Sequence, residues 1–335
     1  MALDERLRQK LTLPAICAPM FLVSGPELVA AACKGGIIGV LPRQNARTIE
    51  VFEEWLRSIR YELNAYAERH PDARVGPLAV NLATRFDPAD LNAHLEICSK
   101  YGVEIIISAQ GNPAELARRV HDWGGVVFHD VTTMRFAEKA IAAEVDGLTC
   151  IGAGGGGHSG TVSHLVLIPK IRSIFDGVIV LAGAVSNGAA IRAAEILGAD
   201  LSYLGTRFIA SKESRAADEY KAMLLRGSST DLMYTPDIAG VAANWMTESM
   251  QAVGLDPANL PKPERPGMTH AHLPDGVKPW KNLWSAGQGI DLIDDIPPVA
   301  EIVARLRREY VTACEVPDMS DIARLVDQAS HAQSN

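Results

Sequence analysis

Three short stretches hold the residue types from which chemistry can be built. The first is GAGGGGHSG, Gly152 to Gly160, in which four consecutive glycines lead into His158. Glycine has no Cβ, so such a run lets the backbone approach a ligand closely and turn several N–H groups into one concavity. A flat or anionic ligand is implied. His158 ends the run, and a neutral imidazole near pH 7 can take or give a proton, which suits general acid/base work. The second stretch is AGAVSNG, Ala182 to Gly188, which leads into a helical pattern whose N-cap is Ser186 or Asn187. The third is LGTRF, Leu204 to Phe208, again a glycine beside a hydroxyl residue. A phosphate suits the last two, because free N–H groups and a helix N-terminus both favour an anion.

Each stretch follows an expected strand. Strands are predicted at Pro14 to Pro19, Gly36 to Leu41, Pro77 to Leu82, Glu104 to Ser108, Gly125 to His129, Gly147 to Ile151, Val178 to Ala182 and Leu201 to Leu204. Helical patterns lie between them: Ser24 to Lys34, Thr48 to Glu68, Pro88 to Lys100, Pro113 to Asp122, Thr132 to Glu144, His164 to Phe175 and Asn187 to Leu197. Eight such alternations favour a closed (β/α)8 TIM barrel over an open doubly wound sheet. The active face of such a barrel is built by the loops after the strands. Pro88 and Pro113 suit first helical turns, and Gly102 and Gly198 suit helix ends. After Arg226 the rhythm fails. Residues 227–280 read as an inserted, mostly helical lobe over the barrel mouth, with a helix around Val241 to Val253 and prolines at 257, 261, 263, 266, 274 and 279. Residues 1–226 and 281–335 form the barrel, closed by a last helix over Ile296 to Tyr310.

A chain of 335 residues and 36.0 kDa holds one barrel with an addition. Its net charge of -8 and pI near 5.6 argue against a nucleic-acid or anionic-membrane surface. Met1 to Lys10 is charged and no apolar run approaches the roughly 18 residues of a membrane span, so neither export nor insertion is expected. The five cysteines are odd in number and form no C-x-x-C pair, which predicts neither a disulfide framework nor a metal site and fits a reducing cytoplasm.

Taken with VLAGAVSNGAAIRAAEILGADLSYLGTRFIASKES, the stretch IGAGGGGHSG strongly resembles the nitronate monooxygenase (2-nitropropane dioxygenase) family. PAICAPM near the start and LWSAGQGIDLIDD near the end look like the family's first and last motifs. The resemblance runs over nearly the whole chain. It implies a barrel that binds FMN without a covalent link and oxidises small alkyl nitronates with O2. By the same resemblance, Ala18, Pro19 and Met20 lie against the isoalloxazine and Asn81 hydrogen-bonds the flavin. Gly156, Gly183, Tyr203, Leu204, Gly205 and Thr206 hold the ribityl phosphate region, and His158 is the active-site histidine. Ser285, Gln288 and His129 fall on the substrate side. Three positions depart from the family pattern. Ile151 stands where members carry Gln or Asp, Gly154 replaces a common acidic residue, and His129 and Asp130 end the fifth strand where some relatives present a lysine.

Two other functions fit the same loops. One is an NAD(P)H-dependent flavin reductase of quinones or activated C=C bonds, since a fold does not fix its chemistry. The other is a flavin-free barrel enzyme that binds a phosphorylated metabolite. The sequence leaves self-association into a homo-oligomer open.

Overall fold

The computed structural model describes residues 2–84, 86–262 and 270–315. Among these, eight parallel strands close a barrel in the order β1 (Ala15–Cys17), β2 (Ile38–Pro42), β3 (Leu78–Ala83), β4 (Ile105–Ala109), β5 (Val126–Val131), β6 (Gly147–Ile151), β8 (Val178–Ala182) and β9 (Leu201–Leu204). The remaining strands are β7 (Gly157–His158), β10 (Leu232–Thr235) and β11 (Ala243–Met246). Each barrel strand ends within two residues of its expected bounds.

The strands read as continuous apolar runs because both of their faces are covered. Side chains alternate across a strand, so Leu78, Val80 and Leu82 pack outward under the helices while Ala79 points into the barrel. Ile16, Ile38, Val40, Ile105, Ile107, Phe128, Val178, Val180 and Leu201 fill that interior, and Leu3, Leu7 and Leu11 close its lower end. Phe128 needs Gly147 opposite it, since a Cβ there would lie 2.5 Å from the ring. One layer higher the interior turns polar. Asn81, Asp130, Thr149 and Tyr203 continue the inward registers of β3, β5, β6 and β9.

Capping fixes where the surrounding helices start. Thr48, Asp87, Thr133, Ser163 and Asn187 each accept a hydrogen bond from the first turn of the helix they precede. The last helix, Val299–Cys314, packs on helices Gly188–Ile196 and Pro26–Lys34. Its Glu309 accepts from Gly188 N at 2.8 Å, which places a carboxylate on the N-terminus that sequence reasoning gave to a phosphate. That helix end is already satisfied.

Beyond Arg226 the chain differs from the expected helical lobe. Ala243–Met246, read as helix, is the central strand of a three-stranded antiparallel sheet in the order β10, β11, β7, and only Thr247–Ala252 is helical. Short apolar runs carry no period long enough to separate strand from helix, and here Trp245 and Met250 both reach the lobe's core with Ile238, Leu255, Leu273 and Leu283. Pro263 and Pro266 lie outside the described residues, as do residues 316–335 of the expected barrel segment. Among the described residues no helix is long and apolar enough to cross a membrane.

Candidate active site

A cavity of about 440 Å³ opens at the carboxyl ends of the barrel strands, the place this architecture reserves for chemistry. Ala18, Pro19, Met20, Asn81, Gly156, His158, Gly183, Tyr203, Gly205, Thr206 and Ser285, all predicted from sequence, line it. Three predicted residues do not. Leu204 points outward into the core under the helices, and its carbonyl accepts from Ala18 N at 3.0 Å. Gln288 lies behind the glycine loop, its backbone N–H donating to Gly154 O at 2.9 Å. His129 faces away because its neighbour Phe128 faces in. It is bonded to Ser108 of β4 at 2.8 Å, and burial pushes its pKa down to about 4. The inward residue at the end of β5 is Asp130.

The glycine loop is held from two sides. Gly157 and His158 form β7 and pair with Asn244 and Ala243 of β11, while Asn244 Nδ2 donates to Gly155 O at 2.7 Å. Tyr234 of β10 donates to Ser159 O at 2.8 Å. On the other side the loop touches the late segment: a Cβ on Gly156 would sit 2.9 Å from Gly287 N. Gly183 is equally constrained, with φ of 126° and its would-be Cβ 3.0 Å from Gly155 N. Only glycine fits such contacts without displacing backbone.

His158 meets Trp280 edge to face, with ring centroids 5.1 Å apart and an 85° angle between planes. Burial lowers the His158 pKa below its ordinary value, so the imidazole is neutral at pH 7. Trp280 has φ of 60°, a left-handed conformation rare for so bulky a side chain, and its backbone N–H donates to Leu283 O at 2.8 Å. Strain of this kind persists only where surroundings impose it. Trp245 packs on the other side of Trp280 at 4.9 Å. Trp280 escaped sequence reasoning because it sits in a Pro-rich stretch without a period.

Polar groups in the cavity are poised for a ligand. Thr206 Oγ1 accepts from Gly287 N at 2.9 Å, which leaves its own proton to donate. Asn81 donates to Ile107 O at 3.1 Å, leaving its amide oxygen to accept. The Tyr203 hydroxyl and Asp130 Oδ1 are sealed from solvent without a hydrogen-bond partner. Burial raises the Asp130 pKa to about 7, against a smaller lowering by the Thr149 hydroxyl. Among the described residues, no Lys or Arg lines the cavity. Cys17, beside the opening motif, is buried and its thiol pKa is raised far above the ordinary value, so it behaves as a packing residue.

Against known proteins, the family model described as "Nitronate monooxygenase" matches residues 5–309. A nitronate monooxygenase of Paraburkholderia phytofirmans is 28% identical over an alignment covering 90% of this chain and 93% of that protein. A "(3aS,4S,5R,7aS)-5-hydroxy-7a-methyl-1-oxo-octahydro-1H-indene-4-carboxyl-CoA dehydrogenase" of Mycobacterium tuberculosis is 27% identical over 68% of this chain, which spans only 61% of that relative's length. The structure of a nitroalkane oxidase from Streptomyces ansochromogenes superposes with a TM-score of 0.74 over 92% of this chain and 98% of that one. At 22% identity, that likeness shows the shared fold.

Proposed function

We infer the function from one premise: the chain belongs to the nitronate monooxygenase family, whose members are FMN-dependent oxidoreductases. The cavity residues fit a flavin mononucleotide. Glycine backbone lines the cavity at Gly156, Gly183 and Gly205, and among the described residues the Asp130 and Tyr203 side-chain oxygens have an unpartnered atom each. In this reading Ala18, Pro19, Met20 and Asn81 hold the ring system. Gly183, Gly205 and Thr206 take the phosphate through backbone N–H groups and one hydroxyl, with Tyr203 beside them. The flavin, when bound, supplies the electron acceptor.

The observation that carries the reading is a neutral histidine in the wall of a cavity that no Lys or Arg among the described residues lines. Such a cavity admits a neutral nitroalkane. His158 then removes the α-proton, and the charge moves to the nitro oxygens, where Ser285 and backbone donors stabilise it. Trp280 holds the imidazole edge and excludes water, which keeps the base neutral. The resulting nitronate is a resonance-stabilised anion that gives up electrons readily, and O2 is the final oxidant.

Mixing the purified holoenzyme anaerobically with an alkyl nitronate, and separately with NADH or NADPH, tests this. The nitronate is expected to bleach the flavin absorbance and the nicotinamides to leave it unchanged. Bleaching by NADH or NADPH alone overturns the monooxygenase reading in favour of a reductase. A colourless protein that takes up no FMN overturns both.

A further inference from the structure

Resting on the FMN reading, we propose that Asp130 is the proton-holding group of the flavin site. Its neutral carboxylic acid donates a hydrogen bond to an acceptor atom of the bound flavin, and loss of that proton weakens flavin binding.

Asp130 continues the inward register of β5 and stands opposite Thr149 of β6. It shares the upper barrel layer with Asn81 and Tyr203, whereas His158 and Trp280 reach the cavity from the lobe side. Its Oδ1 is sealed from solvent and meets no hydrogen-bond partner among the described residues, although the Thr149 hydroxyl stands near enough to lower its pKa slightly. A carboxylate there would be an uncompensated buried charge, which is strongly unfavourable, while a carboxylic acid needs only one acceptor. An acid whose proton is held by its surroundings can serve as a donor up to its raised pKa.

The groups that face Asp130 leave it in this state. Tyr203 on β9 is itself held protonated by burial, and Cys150 lies behind β6 with its thiol pKa raised. His158, in the glycine loop, is neutral. No Lys or Arg among the described residues lines the cavity to hold a carboxylate. A flavin held here would supply hydrogen-bond acceptors and no cation. Above its pKa, Asp130 would therefore add a negative charge to a cavity that already takes the phosphate.

Titrating FMN into apoprotein between pH 6 and 9, by quenching of flavin fluorescence, reads the effect. The wild-type Kd is expected to rise about tenfold as pH climbs from 6 to 8.5, by Coulomb repulsion at short range. Asp130→Asn, neutral with a donor at every pH, is expected to hold its Kd within about twofold over the same interval. Asp130→Ala, neutral without a donor, is expected to bind several-fold more weakly than Asp130→Asn at pH 6, the loss of one hydrogen bond. The flavin of the wild type should also be harder to reduce than that of Asp130→Asn at pH 8.5. A wild-type Kd without this pH dependence, or parallel profiles for wild type and Asp130→Asn, overturns the proposal while leaving the FMN reading intact. Failure of the wild type to bind FMN at any pH overturns both. Should one variant fail to fold, the profile of the other against wild type still decides, since both lack the titrating carboxyl.

Discussion

At the scale of single residues, the cavity separates two titratable groups by environment. His158 is exposed in the cavity wall and Asp130 is half-buried, and desolvation acts on each in the same sense, against the charged form. The result is a neutral base on the lobe side and, on the barrel side, an acid that holds its proton up to about pH 7. For His158 the active form is unprotonated and its pKa is lowered, so kcat/KM for a neutral nitroalkane should fall only at a pH below the ordinary histidine range and stay flat above it. His158→Gln should lower kcat/KM for the nitroalkane about 10²- to 10³-fold and for the preformed nitronate less than about tenfold, read by oxygen consumption. Similar losses for both substrates would assign His158 to positioning. Asp130 predicts a stability effect of opposite sign. Its folded-state pKa is raised, so its contribution falls as pH rises from about 4 to about 7 and stays lost above. Asp130→Asn apoprotein should be more stable than wild type at pH 8, by roughly 2 kcal/mol, with the gap closing at pH 4, as read by denaturant unfolding.

At the scale of elements, the two-residue strand β7 decides where the catalytic histidine stands. It exists because β11 offers it a partner and because Asn244 holds Gly155 O. Asn244→Ala removes that bond and leaves a carbonyl of the loop without its donor. We expect about a tenfold loss in kcat/KM with an unchanged far-UV circular dichroism spectrum. Gly156→Ala tests the other side of the loop. Its Cβ would press on Gly287 N, so the loop and the late segment must part. FMN affinity should drop about tenfold or more, measured by fluorescence titration. Intact FMN binding in Gly156→Ala would show that the cofactor does not lean on this contact.

At the scale of the whole molecule, four histidines, His94, His129, His158 and His164, have pKa values lowered by desolvation, and of these His94 and His129 are buried. Each binds fewer protons folded than unfolded below about pH 6.5, so each loses stability as pH falls through that point. For His129 the window extends down to about pH 4. His129→Asn should flatten the acid side of the stability profile relative to wild type by roughly 2 kcal/mol between pH 6.5 and 4. Parallel profiles would show that His129 is charged in the folded state.

By itself the sequence determined the barrel, because a strand buried on both faces must be an apolar run and a crossover helix must be amphipathic. Both patterns are local and survive without tertiary information. It also determined most of the cavity wall, since glycines and hydroxyl residues at strand ends have few other uses there. Only tertiary structure decided the rest. Alternation along β5 turned Asp130 inward and His129 out, a choice of phase set by Phe128 filling the barrel interior. Pairing with a distant strand, more than eighty residues along the chain, made Gly157 and His158 a sheet edge and made Ala243–Met246 a strand. Packing of the last helix put Glu309 on the helix end that had looked open to a phosphate. Each of these depends on a partner remote in sequence, and no local spacing records it.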